Sequence, residues 1–131
     1  MTSMTRAEID HLHHQITEAF NAKDLDGLMK LFADDAVYHE LNGKLNRGLA
    51  EIRLAFEPQF RGDFGANEFI SHDFLIDEKR GFGISTWAFV VRAEGKAPRA
   101  MEGTDVYQFE NGRIQVKRTY SEAKSPLFRE V

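Results

Sequence analysis

Residues 101–120 read MEGTDVYQFENGRIQVKRTY. Met101 to Phe109 and Arg113 to Tyr120 are rich in β-branched and aromatic residues, which suit a pleated, half-buried surface. Between them stands Asn111-Gly112, the dipeptide that most favours a tight hairpin because both positions accept a positive φ. Working back along the chain, Phe82 to Arg92 is a long strand candidate of the same kind. It lies between the turn residues Asp77-Glu78-Lys79-Arg80-Gly81 and Glu94-Gly95-Lys96. Before it, Phe69, Ser71, Asp73 and Leu75 alternate with Ile70, His72, Phe74 and Ile76, a period of two with apolar groups on both faces. The second half of the chain is therefore expected to be a meander of antiparallel strands.

The first half has a helical period. Thr5-Arg6-Ala7-Glu8 has the spacing of a capping box, and Ile9, Leu12, Ile16, Ala19 and Phe20 recur on one face behind it. Asp24 is placed to cap a second helix with Leu25, Leu28, Leu31 and Phe32 as its stripe, although Gly27 weakens it by about 1 kcal/mol relative to alanine. Ala36 to Leu41 reads as a strand and Asn42-Gly43 as a turn. A third helix buries Leu49, Ile52 and Phe56, with Pro58 marking its expected end. Helices first and strands afterwards is the α+β pattern. A curved antiparallel β-sheet wrapped around N-terminal helices closes into a cone, and small-molecule pockets form where such a mouth is left unfilled.

Composition narrows the function. At 131 residues the expectation is one domain spanning 1–131, with 42% hydrophobic residues supplying its core. The absence of cysteine excludes a disulfide scaffold, a thiolate zinc site and a cysteine nucleophile. A net charge of −4 argues against a nucleic-acid partner. No stretch approaches the roughly 20 apolar residues of a membrane span, and the start Met1-Thr2-Ser3-Met4-Thr5-Arg6 lacks a signal-peptide core, so a cytoplasmic location is expected. No phosphate loop, dinucleotide fingerprint, Gly-x-Ser-x-Gly elbow or His-Glu-x-x-His is present, so neither cofactor nor metal is expected. The tail after Ser121 reads as loose.

Asn21-Ala22-Lys23-Asp24-Leu25-Asp26-Gly27-Leu28, followed by Leu31-Phe32-Ala33-Asp34-Asp35-Ala36, resembles the signature of the ketosteroid isomerase and SnoaL-like branch of the nuclear transport factor 2-like superfamily. Thr104 to Ile114 resembles that family's Asp-bearing strand and final hairpin, and Arg47-Gly48 its step into the third helix. The resemblance covers nearly the whole chain. It implies the cone-shaped, cystatin-like fold, a small hydrophobic ligand and a homodimer. Activity stays open, because isomerases, cyclases, dehydratases, epoxide hydrolases and plain binders share this fold.

Ketosteroid isomerase pairs an aspartate base with an oxyanion hole made of a tyrosine and a neutral aspartic acid. Carried over by resemblance, the base falls on Glu40, with His39 one register away, and the neutral acid on Asp105. The tyrosine position falls on Ile16, which has no hydroxyl. Losing one such donor typically costs roughly two to three orders of magnitude in rate, which argues against steroid isomerisation. The epoxide hydrolases' Arg-x-Asp arrangement is broken at Arg99-Ala100-Met101. Asp105 resembles the acid/base aspartate of the SnoaL-type cyclases, in a register one sequence does not fix.

Residue by residue, strand alternation puts Glu40 with Tyr38, and Asp105 with Tyr107, so each carboxylate shares a face with a phenol. The plain alternative is a solvated Glu40 and an Asp105 paired with a cross-strand arginine. Trp87 and Phe89 form an aromatic stripe, with Trp87 the candidate for stacking on a ligand. His72 alternates with Ile70 and Phe74 and is a candidate for the pocket, or else a hydrogen-bonded core histidine. Arg118 is a candidate partner for Asp105 or an interface contact, which would place Lys117 and Thr119 on the outer face. His11, His13 and His14 are expected to face solvent. The reading is a cofactor-free acid/base enzyme of isomerase, cyclase or hydrolase type, acting on a small hydrophobic carbonyl compound. The alternative is a non-catalytic small-molecule-binding or dimerisation module.

Overall fold

The structure is a computed structural model that describes residues 3–131; the first two residues of the N-terminal stretch read above for leader character lie outside the described residues. Helix α1 (Arg6–Asn21) starts at the expected capping box. Thr5 Oγ1 accepts from the Glu8 amide at 3.1 Å, and Glu8 Oε1 accepts from the Thr5 amide at 2.9 Å. Helix α2 (Leu25–Met29) is capped by Asp24, which accepts from the Gly27 amide at 2.9 Å. It stops earlier than its apolar stripe suggests. The Leu31 carbonyl accepts from the Ile114 amide at 2.8 Å, and Phe32 opens strand β1 (Phe32–His39). Sheet pairing with the far end of the chain outweighs the local helical pattern. Strand β1 accordingly runs from Phe32 to His39 rather than from Ala36 to Leu41.

A short strand not expected from the sequence, β2 (Leu45–Arg47), pairs with β1 and leads into helix α3 (Gly48–Arg61). That helix continues past Pro58, which lacks only the amide that would bond to Leu54, a residue on the exposed side. Its end is set instead by Gly62, whose φ of +84° a side chain disfavours. Strands β3 (Ala66–Asp77), β4 (Phe82–Arg92), β5 (Arg99–Glu110) and β6 (Arg113–Ser121) complete the meander. Asn111 and Gly112 take φ of +53° and +80° in the last hairpin.

The six strands lie in the order β2-β1-β6-β5-β4-β3. The β1–β6 pair is parallel and the other pairs are antiparallel. Helix α1 packs along β3 and α3 along β1, so the helices cover the sheet's concave face. Ile9, Leu28, Phe32, Ile52 and Ile114, all at 0% exposure, lie between them.

Two bulges decide which side chains point inward. On β3, Ser71 pairs with Trp87 but Asp73 pairs with Thr86, leaving His72 as the extra residue. On β6, Ile114 pairs with Phe109 but Val116 pairs with Gln108, leaving Gln115 as the extra residue. Beyond each bulge the alternation changes face. Among the described residues no helix is long and apolar enough to cross a membrane.

Candidate ligand pocket and its buried ion pair

Side chains of β1, β3, β4, β5 and β6, one face of α3 and Phe20 of α1 line a cavity of about 490 Å³. Its walls are mainly aromatic: Phe20, Tyr38, Phe56, Phe69, Trp87 and Phe89. Phe56 stacks on Tyr38 with centroids 4.6 Å apart, while Phe69 meets Trp87 edge-on at 5.1 Å. The cavity reaches the surface beside Leu41 and Phe64, both exposed. Trp87 has room because its partner on β5 is Gly103, where a Cβ would fall inside the indole ring.

Lys117 is buried at 4% side-chain exposure on this wall. Its Nζ donates to Asp105 Oδ1 at 3.1 Å and to Thr119 Oγ1 at 2.8 Å, and Thr119 donates in turn to Asp105 Oδ1 at 2.6 Å. The other carboxylate oxygen accepts from Trp87 Nε1 at 3.0 Å and, more weakly, from the Tyr107 hydroxyl at 3.4 Å. The ammonium also lies 4.7 Å from the Tyr38 ring centroid and 5.5 Å from that of Phe56. The sheet register builds this cluster directly, since Asp105 pairs with Thr119 and Tyr107 with Lys117. Burial pushes the Tyr107 hydroxyl well above its usual pKa, and the Asp105 charge adds to it. Burial also raises Tyr38, with Lys117 opposing.

Behind Trp87 and Asp105 lies a second, much smaller space of about 20 Å³, reached by His13, Ser85 and Tyr107. His13 Nε2 is 3.1 Å from Ser85 Oγ, and its ring stacks on Phe74 at 3.8 Å. Burial lowers its pKa, helped by His14 and opposed by Asp10 and Asp105. Ile16 also lines this space.

Among the residues anticipated from sequence, Tyr38, Trp87, Phe89, Asp105 and Tyr107 come together here. Glu40 does not line either space. It follows the end of β1, half-buried, and its Oε2 accepts from Asn46 Nδ2 at 3.0 Å. His72 is exposed on the outer face, 3.2 Å from Glu102, because the β3 bulge turns it away from Phe74's side. Arg118 is likewise outward, beside His39, whose pKa burial and then Arg118 lower. The β6 bulge reverses the expected faces, so Lys117 and Thr119, not Arg118, meet Asp105. His13 is buried rather than solvent-facing. Lys117 and Thr119 carried no sequence signal as site residues, since a bulge leaves none in a run such as Arg113 to Tyr120, whereas His13, four residues after Ile9 and three before Ile16, shares the buried face of α1. Among the described residues no group of three or more His, Asp or Glu is arranged to hold a metal.

A family described as SnoaL-like domain matches residues 13–116. Among curated proteins none matches the sequence. A protein of unknown function with a cystatin-like fold from Methylobium petroleophilum PM1 superposes with a TM-score of 0.77 at 17% identity, covering 99% of this chain and 84% of that one. SalBIII, an epoxide hydrolase/cyclase-like enzyme of pyran ring formation in salinomycin, gives 0.77 at 14% identity, covering 88% and 92%. An epoxide hydrolase from M. tuberculosis gives 0.71 at 18% identity, covering 88% and 84%. At such identities the likeness is one of fold.

Proposed function

The chain belongs to the SnoaL-like domain family, and on that footing we propose that it binds a small hydrophobic carbonyl compound and polarises it for cofactor-free acid/base chemistry. The observation that carries this reading is the buried Lys117 ammonium on a mainly apolar cavity wall, whose other cation, Arg99, is exposed. An ammonium has three donors, and Asp105 and Thr119 take two of them. The third is left for an oxygen in the cavity. In a site shielded from water, a fixed cation stabilises charge developing on that oxygen far better than solvent does. Asp105 and the Thr119 hydroxyl, itself bonded to Asp105, hold Lys117 in place.

Proton removal from the ligand is the task Glu40 was expected to perform. That carboxylate would have to leave Asn46 to reach the cavity. This one fact favours a second reading, binding without turnover. Deuterium exchange separates the two. Aryl ketones incubated with the protein in D₂O are followed by NMR at the α-carbon, with native mass spectrometry reporting binding. Exchange accelerated by the protein and abolished in Lys117→Met supports polarisation. Binding without exchange supports the second reading, and failure of every ketone to bind refutes both. We also propose a homodimer through the outer sheet face, where Ile70, Ile84 and Tyr120 are 44%, 40% and 57% exposed; sedimentation at a monomer's rate would refute it.

A further inference from the structure

Among the described residues, Gln59 Nε2 is the buried side-chain nitrogen or oxygen that has no hydrogen-bond partner. Gln59 lies on α3 three residues after Phe56, hence on the same helix face, and it lines the same cavity as Lys117. A shielded amide donor without a partner is costly, and nearly all buried polar groups in folded proteins are satisfied. Here the unsatisfied one belongs to a residue of the cavity wall, which also carries Lys117, the Thr119 hydroxyl, already bonded to Asp105, and the Tyr38 hydroxyl. Phe56, whose ring centroid is 5.5 Å from Lys117 Nζ, sets the scale between Lys117 and Gln59. Gln59 is one helical turn farther along, about 4–5 Å of axial rise.

Charge limits what fits at Lys117, the buried cation of the wall; Arg99, the other, is exposed to solvent. Lys117 is already neutralised by Asp105 at 3.1 Å. A ligand carboxylate on Nζ would set a second anion beside that one in a poorly screened site, whereas a neutral oxygen adds no charge. The volume of about 490 Å³ is roughly that of 16 waters at ~30 Å³ each, enough for a ring system with substituents.

We infer that the cavity selects a neutral ring compound carrying two separated oxygen acceptors, one received by Lys117 and the other by the Gln59 amide. The inference rests on the proposed reading of Lys117 and adds to it a second point of recognition that sets ligand orientation. Gln59 acts on binding, not on the reacting oxygen.

Trp87 is the single tryptophan and lies on the cavity wall, so its fluorescence reports occupancy. The probes are acetophenone, with one acceptor, 1,3- and 1,4-diacetylbenzene, with two at different spacings, and 4-acetylbenzoate, with an anionic second acceptor. At least one diacetylbenzene is expected to bind about three- to tenfold more tightly than acetophenone, the worth of one hydrogen bond, and more tightly than 4-acetylbenzoate. Gln59→Leu is expected to erase that preference, weakening the favoured diacetylbenzene more than acetophenone. Gln59→Met serves equally should the leucine variant fail to fold. Equal binding of the one- and two-acceptor ketones, or a preference that survives both substitutions, overturns the role of Gln59 and leaves Lys117 untouched. Tighter binding of 4-acetylbenzoate overturns the selection of a neutral ligand. If no probe binds and Lys117→Met changes nothing, the Lys117 reading itself falls.

Discussion

Strands β1 and β6 run side by side, and their two ends are furnished differently. At the start of each, Phe32 and Ile114 are fully buried against Ile9, Leu28 and Ile52. At the far end, Tyr38, Lys117 and Thr119 face a space of about 490 Å³ walled by aromatic rings. Both regions are apolar. The first is packed with aliphatic side chains that interlock, as protein interiors normally do. In the second, large flat rings meet edge-on and leave a gap, and the polar groups of the interior gather at its border. Filling the sheet's concavity stabilises one end, and leaving it unfilled equips the other.

The sharpest way to break that contrast is at the ion pair. Lys117→Met strands the buried Asp105 carboxylate and is expected to cost about 3–5 kcal/mol in urea unfolding. Adding Asp105→Asn should restore part of it, because the stranded charge is removed while a side-chain oxygen remains to accept from the buried donors around it. A double variant as unstable as the single would show that the loss lies in packing. Phe32→Ala, at the filled end, should cost about 3–5 kcal/mol as a cavity opens. Phe89→Ala, beside existing space, should cost less than half as much while changing ligand binding more. Equal costs would mean the two ends are packed alike.

Gly103→Ala tests the aromatic wall by volume alone. The added methyl meets the Trp87 ring and should cost about 1–3 kcal/mol, with a shifted Trp87 emission and a weakened ligand response. The smallest effect belongs to His13. Its folded pKa is lowered below the usual 6.5, so the unfolded chain takes up the proton first. The stabilisation is complete above pH 6.5 and is lost as the pH falls toward the folded value, with a slope below about 1.4 kcal/mol per pH unit. His39 is lowered too and has the same sign. His13→Gln should flatten part of the slope between pH 7 and 5, and an unchanged slope would remove His13 from the account.

The contrast also explains what was readable in advance. Capping at Thr5, the Asn111-Gly112 hairpin and the limits of β4 depend on neighbours in sequence, and they formed as expected. The shared inward face of Asp105 and Tyr107 follows from simple alternation within an undisturbed stretch of β5. Lys117, Thr119 and His72 were assigned to the wrong faces for a single reason: each lies beyond or within a bulge. A bulge arises from how two strands settle against each other, so neither strand announces it alone. Gln59 escaped notice because an amide on a helix is unremarkable until the opposite wall is known.

The position of β6 between β1 and β5 has a consequence for how the molecule is made. Among the described residues the last strand in chain order is an interior one, and it joins β1 and β2 to the hairpins of β3, β4 and β5. Without residues 113–121 the sheet order would fall into two separate fragments, β2-β1 and β5-β4-β3, each with an open edge. Lys117 and Thr119 belong to that strand, so the chamber acquires its buried cation in the same long-range closure that joins the two parts of the sheet.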